Sequence, residues 1–216
     1  MSRTAAPYDR KAAVYDAIVG RPAYHRVFWG TSPRSFARFG MAALEAAGDG
    51  PYAEVGCGSL LFTAPMYRDA RAGSVALVDR SMGMLSRGRK RLGSPDCGLP
   101  AGITMVHGDG AMLPLLRGAF SAILSLNLLH VPCDRTAIVA ECARCLLPGR
   151  GRLFVTSLVR SGRWSDAWLS ILHRAGELAL PVTREQLCET VAGRWAVIES
   201  VALEGNMCFL VVRHAG

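Results

Sequence analysis

The chain has 216 residues, 50% of them hydrophobic and 19% charged, which excludes global disorder and leaves room for one domain rather than two. The longest apolar run, 120–131, carries Ser and Asn and is too short to span a bilayer, and the first ten residues have no apolar signal core, so a cytoplasmic protein is expected. The formal charge of +8 attracts polyanions, but Lys stands only at Lys11 and Lys90, and an Arg-rich, Ala/Gly-rich chain also fits a GC-rich bacterial coding bias. Seven cysteines without framework spacing point to reduced thiols.

In chain order, 8–19 reads as a helix that stops at Gly20 and Pro22. Ser32-Pro33 reads as an N-cap followed by proline at the first helical position, opening a helix to about Ala47. Gly48, Gly50 and Pro51 break it, and a strand over 53–55 runs into Glu54-Val55-Gly56-Cys57-Gly58. A helix over 60–70 follows, with Pro65 inside it. The second strand, 74–78, ends in Asp79, and Ser81 caps a helix over 82–92. Strand three covers 103–107 and strand four 120–126; a helix over 136–147 precedes strand five at 152–158. Strands and helices alternating at this spacing imply parallel pairing with right-handed crossovers.

The end of the chain differs. Trp164, Trp168, Ile171, Leu172 and Ala175 form one helical stripe, read as lid or core, and Thr183 with Gln186 reads as a capping box for a helix to about Val191. Strands over 195–203 and 207–212 are joined by Glu204-Gly205-Asn206, a connection short enough to force an antiparallel hairpin.

In an open α/β sheet, ligands bind beyond the carboxyl ends of the strands. Glycines at Gly56 and Gly58 allow close backbone approach or simply a tight turn. Asp79 stands 21 residues after Gly58, placed to accept both ribose hydroxyls of an adenosine or to sit at a helix N-terminus for dipole reasons. Asp109 follows strand three in Gly108-Asp109-Gly110, so that Glu54, Asp79 and Asp109 fall at three successive strand ends. The dinucleotide fingerprint fails at its sixth position, Leu61, there is no Walker lysine, and Glu54 would put negative charge beside a pyrophosphate.

These residues resemble class I S-adenosylmethionine-dependent methyltransferases, in particular the ubiquinone/menaquinone-biosynthesis (methyltransferase type 11) group. The resemblance rests on Glu54 to Gly58, on Asp79-Arg80-Ser81-Met82-Gly83-Met84-Leu85, on Gly108-Asp109, on 120–130 with Asn127 and His130, and on Glu141, Arg144, Leu146, Pro148 and Gly149. It implies a Rossmann-like seven-stranded α/β sheet in order 3-2-1-4-5-7-6, the last strand antiparallel. It also implies an N-terminal helical arm over 1–48 ahead of a methyltransferase domain over 49–216. S-adenosylmethionine is the implied cofactor: Gly56 and Gly58 beneath its methionine part, Glu54 near its amino group, Asp79 on the ribose, Met82 on the adenine, Asp109 on the adenine amino group, Asn127 facing the methionine or the transfer cavity. Arg80, Gly108 and Gly110 complete that set. Leu60 stands where the family has a third glycine, which would narrow the cofactor cleft or fill space left by a shifted backbone, and the family's P-G-G turn here reads Pro148-Gly149-Arg150-Gly151.

Methyl transfer needs alignment and water exclusion more than a catalytic signature. His130, after strand four, is the candidate general base, with packing against the next loop as the alternative. Tyr15, Tyr24 and Trp29 (with His25 nearby) line an acceptor pocket or anchor the arm. Cys142 and Cys145 at i, i+3 read as core, and no second pair completes a metal site. The basic cluster Arg87, Arg89, Lys90 and Arg91 lacks interleaved aromatics, against an RNA-binding surface. The expected acceptor is a small molecule, with an RNA methyltransferase or a non-catalytic S-adenosylmethionine-binding protein as the alternatives and the oligomeric state open between monomer and homodimer.

Overall fold

A computed structural model describes residues 28–69, 73–93, 98–131, 133–162 and 164–216. The elements, in order, are α1 (Pro33–Ala47), β1 (Tyr52–Val55), α2 (Ala64–Asp69), β2 (Val75–Asp79), α3 (Met82–Leu92), β3 (Ile103–His107), β4 (Ala122–Leu126), α4 (Arg135–Cys145), β5 (Arg152–Leu158), α5 (Ser165–Arg174), α6 (Arg184–Ala192), β6 (Ala196–Glu204) and β7 (Met207–His214). They form one seven-stranded sheet in the order β3-β2-β1-β4-β5-β7-β6. Pairing is parallel from β3 through β5, and β7 runs antiparallel to both β5 and β6. The expected Rossmann-like topology is the observed one.

The caps act as read. Ser32 accepts the Ser35 N–H, Ser81 the Met84 N–H, and Thr183 and Gln186 close a reciprocal box. Side chains alternate between two cores because successive strand residues point to opposite faces. On β7, Met207, Phe209 and Val211 join the core beneath α1 and α3, while Cys208, Leu210 and Val212 join the core beneath α4 and α6. Phe36 and Phe39 of α1 pack against Phe209, and Phe39 also against Phe154, so the described part of the arm is built onto the sheet. The helix read over 8–19 lies outside the described residues.

Three element readings are corrected. The helix expected over 60–70 begins only at Ala64, because Leu60 takes φ +57 and the chain turns there before the helix can propagate; Pro65 then sits in the first turn, where its missing N–H costs nothing. Phe120 forms a single bridge to Leu146, and the β4 ladder starts at Ala122. The tryptophan stripe of α5 is only partly the buried face: Trp168 packs on Phe28 and Leu172 on the core, but Trp164 is 64% and Ile171 53% exposed, and Ser165 and Leu169 are the fully buried positions.

Candidate functional site

The carboxyl ends of β1 and β4 and the turn after β1 enclose a cleft with about 400 Å³ of empty space, partly open to solvent, lined by Glu54, Gly56, Cys57, Gly58, Thr63, Leu126 and Asn127 among others. Topology places it there: β1 is central, and its neighbours β2 and β4 carry the chain away to opposite sides, which leaves a crevice at the switch point. The turn is pinned to β2, since the Gly56 and Cys57 N–H groups both donate to the Val78 carbonyl. Gly56 has φ +72, and a Cβ there would meet Leu128 at 2.9 Å; Gly58 has φ +54, and a Cβ there would meet nothing within 4 Å. Gly56 is thus required by packing, whereas Gly58 borders open space, as a backbone cradle for a ligand does.

Asp79 is held by backbone. Its Oδ2 accepts the Gly58 N–H at 2.8 Å and its Oδ1 the Ser81 N–H at 2.8 Å, which ties the glycine turn to the start of α3. Asp109 is exposed and turns back on the Ala111 N–H at 2.9 Å. Gly108 donates to the Asp79 carbonyl, so β2 and β3 deliver their acids side by side. A Cβ on Gly110 would touch Val55 and Ile138. Met82 is 57% exposed at the first position of α3, and the carbonyl of exposed Arg80 lies 3.1 Å from His107 Nε2. Asn127 adopts φ +57; its backbone N–H reaches the Thr156 hydroxyl, which donates in turn to the Asn127 side-chain Oδ1 at 3.1 Å. Leu60, despite its glycine-like φ, does not line the cleft: its side chain is buried against Gly88 of α3. The departure from the motif therefore fills core space and leaves the cleft open.

Glu54 is the most telling residue. It is 2% exposed, and among the described residues no Lys, Arg or His pairs with it. Its Oε2 accepts the Tyr67 hydroxyl at 2.6 Å and its Oε1 the Thr63 hydroxyl at 3.4 Å. Its carboxyl is raised to about 7 on balance: burial pushes it up most, the two hydroxyls pull it down, and the Asp79 carboxylate adds to the rise. A buried carboxylate without a counter-charge among the described residues, at the floor of an open cleft, is suited to receive a cationic group.

His130 does not have the geometry of a base. It is buried, and its Nδ1 accepts the Leu158 N–H at 3.0 Å; burial, reinforced by the Arg135 guanidinium, lowers it to about 3. At neutral pH the ring is neutral, its one lone pair is engaged, and its proton sits on Nε2, so His130 can donate there but not accept. The general-base expectation is corrected accordingly. Trp29 is buried with its ring edge-on to His130 at 6.5 Å and its carbonyl accepting the Asn206 N–H. Tyr15, Tyr24 and His25 lie outside the described residues. Cys142 and Cys145 are buried in the core, and no metal-binding group of side chains occurs among the described residues.

The sequence reading missed Tyr67, Thr63 and Tyr52. One signal was available: Thr63 and Tyr67 are four apart, so a helical turn stacks both hydroxyls on one side, towards the strand that carries Glu54.

Residues 53–155 match the family model described as a methyltransferase domain. Over those residues the chain is similar to a methyltransferase domain. A domain of this family uses S-adenosylmethionine, and the residues present fit it: an uncompensated Glu54 for a cationic amino group, and open backbone at Gly58. No curated protein sequence matches the chain. Similar solved structures include the [4+2]-cyclase SpnF (18% identity, 96% of this chain and 94% of that one, TM-score 0.72). Another is a chain from the complex of the Haloferax volcanii Trm112 methyltransferase activator with a methyltransferase (15% identity, 97% and 98%, TM-score 0.71). A third is geranyl diphosphate C-methyltransferase from Streptomyces coelicolor A3(2), solved with Mg2+, geranyl diphosphate and S-adenosyl-L-homocysteine (17% identity, 100% and 86%, TM-score 0.69). At these identities they show the fold. No helix among the described residues is long and apolar enough to cross a membrane.

Proposed function

We propose that this methyltransferase domain transfers the methyl group of S-adenosylmethionine to a small-molecule acceptor. The observation that carries the reading is Glu54: a carboxylate buried without a cation among the described residues, beside the glycine turn, at the carboxyl ends of the central strands. When bound, S-adenosylmethionine supplies a methyl group on a sulfonium whose leaving group is a neutral thioether. The chain's residues then bind and orient. Glu54 takes the amino end, Gly56 and Gly58 let backbone lie beneath it, and Asp79 holds the ribose while clamping the turn through the Gly58 N–H. Met82 packs on the adenine and Asp109 takes its amino group, with Arg80, Gly108 and Gly110 shaping that end. Asn127, oriented by Thr156, faces the transfer cavity. Trp29 is the candidate acceptor-side residue among the described residues, and Tyr15 and Tyr24 are proposed for the same role. With the His130 lone pair engaged by the Leu158 N–H, an acceptor whose nucleophile is already deprotonated or uncharged at working pH fits this site best.

The likeness to a geranyl diphosphate methyltransferase supports a small acceptor, and the lack of stacking aromatics in the Arg87–Arg91 cluster speaks against RNA. We place the activity in the cytoplasm, in keeping with six free thiols among the described residues. The test is calorimetric titration with S-adenosylmethionine, S-adenosylhomocysteine and NAD, followed by an acceptor screen that includes prenyl diphosphates, phenols and RNA. Micromolar binding of the sulfur ligands without NAD is expected; a folded chain that binds neither overturns the assignment.

A further inference from the structure

Glu54 does not stand alone on the floor of the cleft. The Tyr67 hydroxyl lies 2.6 Å from its Oε2, and the Tyr67 and Tyr52 hydroxyl oxygens are 3.2 Å apart. A phenol has one proton. At 2.6 Å that proton belongs to the contact with the carboxylate, so Tyr52 must donate to Tyr67. The result is a chain Tyr52 to Tyr67 to Glu54, joined by the Thr63 hydroxyl at 3.4 Å on the other oxygen. Tyr52 and Tyr67 are each 1% exposed, and their rings are 6.1 Å apart. Two aromatic hydroxyls are buried here without any role in the sheet ladder or the cores that phenylalanine would not fill. Their shared target is one carboxylate.

We propose that Tyr67, backed by Tyr52, is a positioning residue of the cofactor site that holds Glu54 as the anion, and that the proton on Glu54 gates cofactor binding by this chain. This rests on the cofactor reading given above. The groups facing Glu54 are Tyr52 on β1, Cys57 in the turn, Thr63 and Tyr67 at and on α2, and Asp79 at the end of β2. Burial raises Tyr52, Tyr67 and Cys57 well above their ordinary ranges, so all three stay neutral, and Asp79 contributes only repulsion. The hydroxyls are thus the groups that stabilise the charged form. A cationic amino group binds the carboxylate and not the acid, so binding is lost as Glu54 takes up a proton below about pH 7.

The experiment is calorimetric titration of the full chain with S-adenosylhomocysteine from about pH 5 to 7.5, below the range where the ligand's amino group releases its proton. Wild type is expected to lose affinity about tenfold per pH unit on the acid side of the Glu54 midpoint. In Tyr67→Phe the midpoint moves up by about one unit, so affinity falls about tenfold at about pH 5–6 but only about threefold at about pH 7.5, the gap to wild type closing as pH rises. Thr63→Val, whose hydroxyl is further away, shifts the midpoint in the same direction by less, and it carries the test if Tyr67→Phe does not fold. An affinity lowered equally at every pH, or unchanged, in both variants overturns the positioning role. So does a wild type whose binding is independent of pH. A wild type that binds at no pH overturns the cofactor reading itself, and the two failures are thereby told apart.

Discussion

Glu54 shows how a binding site stores instability. Folding raises its carboxyl from 4.5 to about 7, so between those values the folded chain holds a proton that the unfolded chain has released. Stability therefore falls as pH rises through that window, and above it the fold carries an unpaired buried charge. Glu54→Gln is expected to raise the melting temperature of the ligand-free chain at pH 8 by a few degrees while weakening S-adenosylhomocysteine binding at least tenfold, the trade-off of a site built for a ligand. Differential scanning fluorimetry with and without ligand reads both effects. Asp79 is different, because two backbone N–H groups depend on it. Asp79→Ala should lower both stability, by about 1–3 kcal/mol, and ligand affinity, at least tenfold, whereas Asp79→Asn keeps one of the two acceptors and should lose less stability than Asp79→Ala. Unchanged affinity in Asp79→Ala would sink the ribose assignment. Leu60 pays a left-handed backbone to fill the space beside Gly88. Leu60→Gly relieves about 1 kcal/mol of backbone strain but empties a fully buried leucine site, so a net loss of about 2 kcal/mol is expected in urea titrations, with ligand affinity within threefold of wild type.

At the level of elements, the hairpin, α5 and the segment before α1 meet at one buried residue. Asn206 in the β6–β7 turn donates to the Val159 carbonyl at 2.9 Å and to Asp166 at 2.6 Å, and it accepts from the Ser165 hydroxyl. Its own N–H donates to the Trp29 carbonyl. The hairpin, the start of α5 and the segment leading into α1 are thus fastened at one point, beside the end of β5. Asn206→Leu leaves Asp166 and the Val159 carbonyl short of donors and is expected to cost about 2–4 kcal/mol by urea denaturation. The effect should appear first as protease cleavage near α5, ahead of global unfolding; simultaneous loss of all structure would show that the three elements are not a local unit. The hairpin itself was legible as antiparallel from its short connection, of which Glu204 proves to belong to β6 and Gly205-Asn206 to the turn, and the caps at Ser32, Ser81 and Thr183 were legible because each needs only a hydroxyl and an N–H three residues on. The start of α2 was not, since a leucine at positive φ breaks the rule from which a helix over 60–70 was read.

Over the whole molecule, the formal +8 charge favours polyanions in general, without selecting one. RNA binding by this chain is expected to be weaker than micromolar at physiological salt and to fall steeply as salt is raised; submicromolar, salt-resistant binding would revive the RNA methyltransferase reading. A filter-binding titration at two ionic strengths decides it.

What the sequence by itself determined was the order of elements, the direction of the last strand and the three acids at successive strand ends, because local periodicity, caps and turn lengths act within a few residues. The tertiary structure decided the rest. It brought Tyr67 and Tyr52 to Glu54, turned Leu60 into the core beside Gly88, and gave the lone pair of His130 to the Leu158 N–H. Each of these depends on which face of an element meets which neighbour across a sheet or helix contact. Burial and the partner of a polar atom are properties of that meeting, and residue spacing along the chain does not contain them.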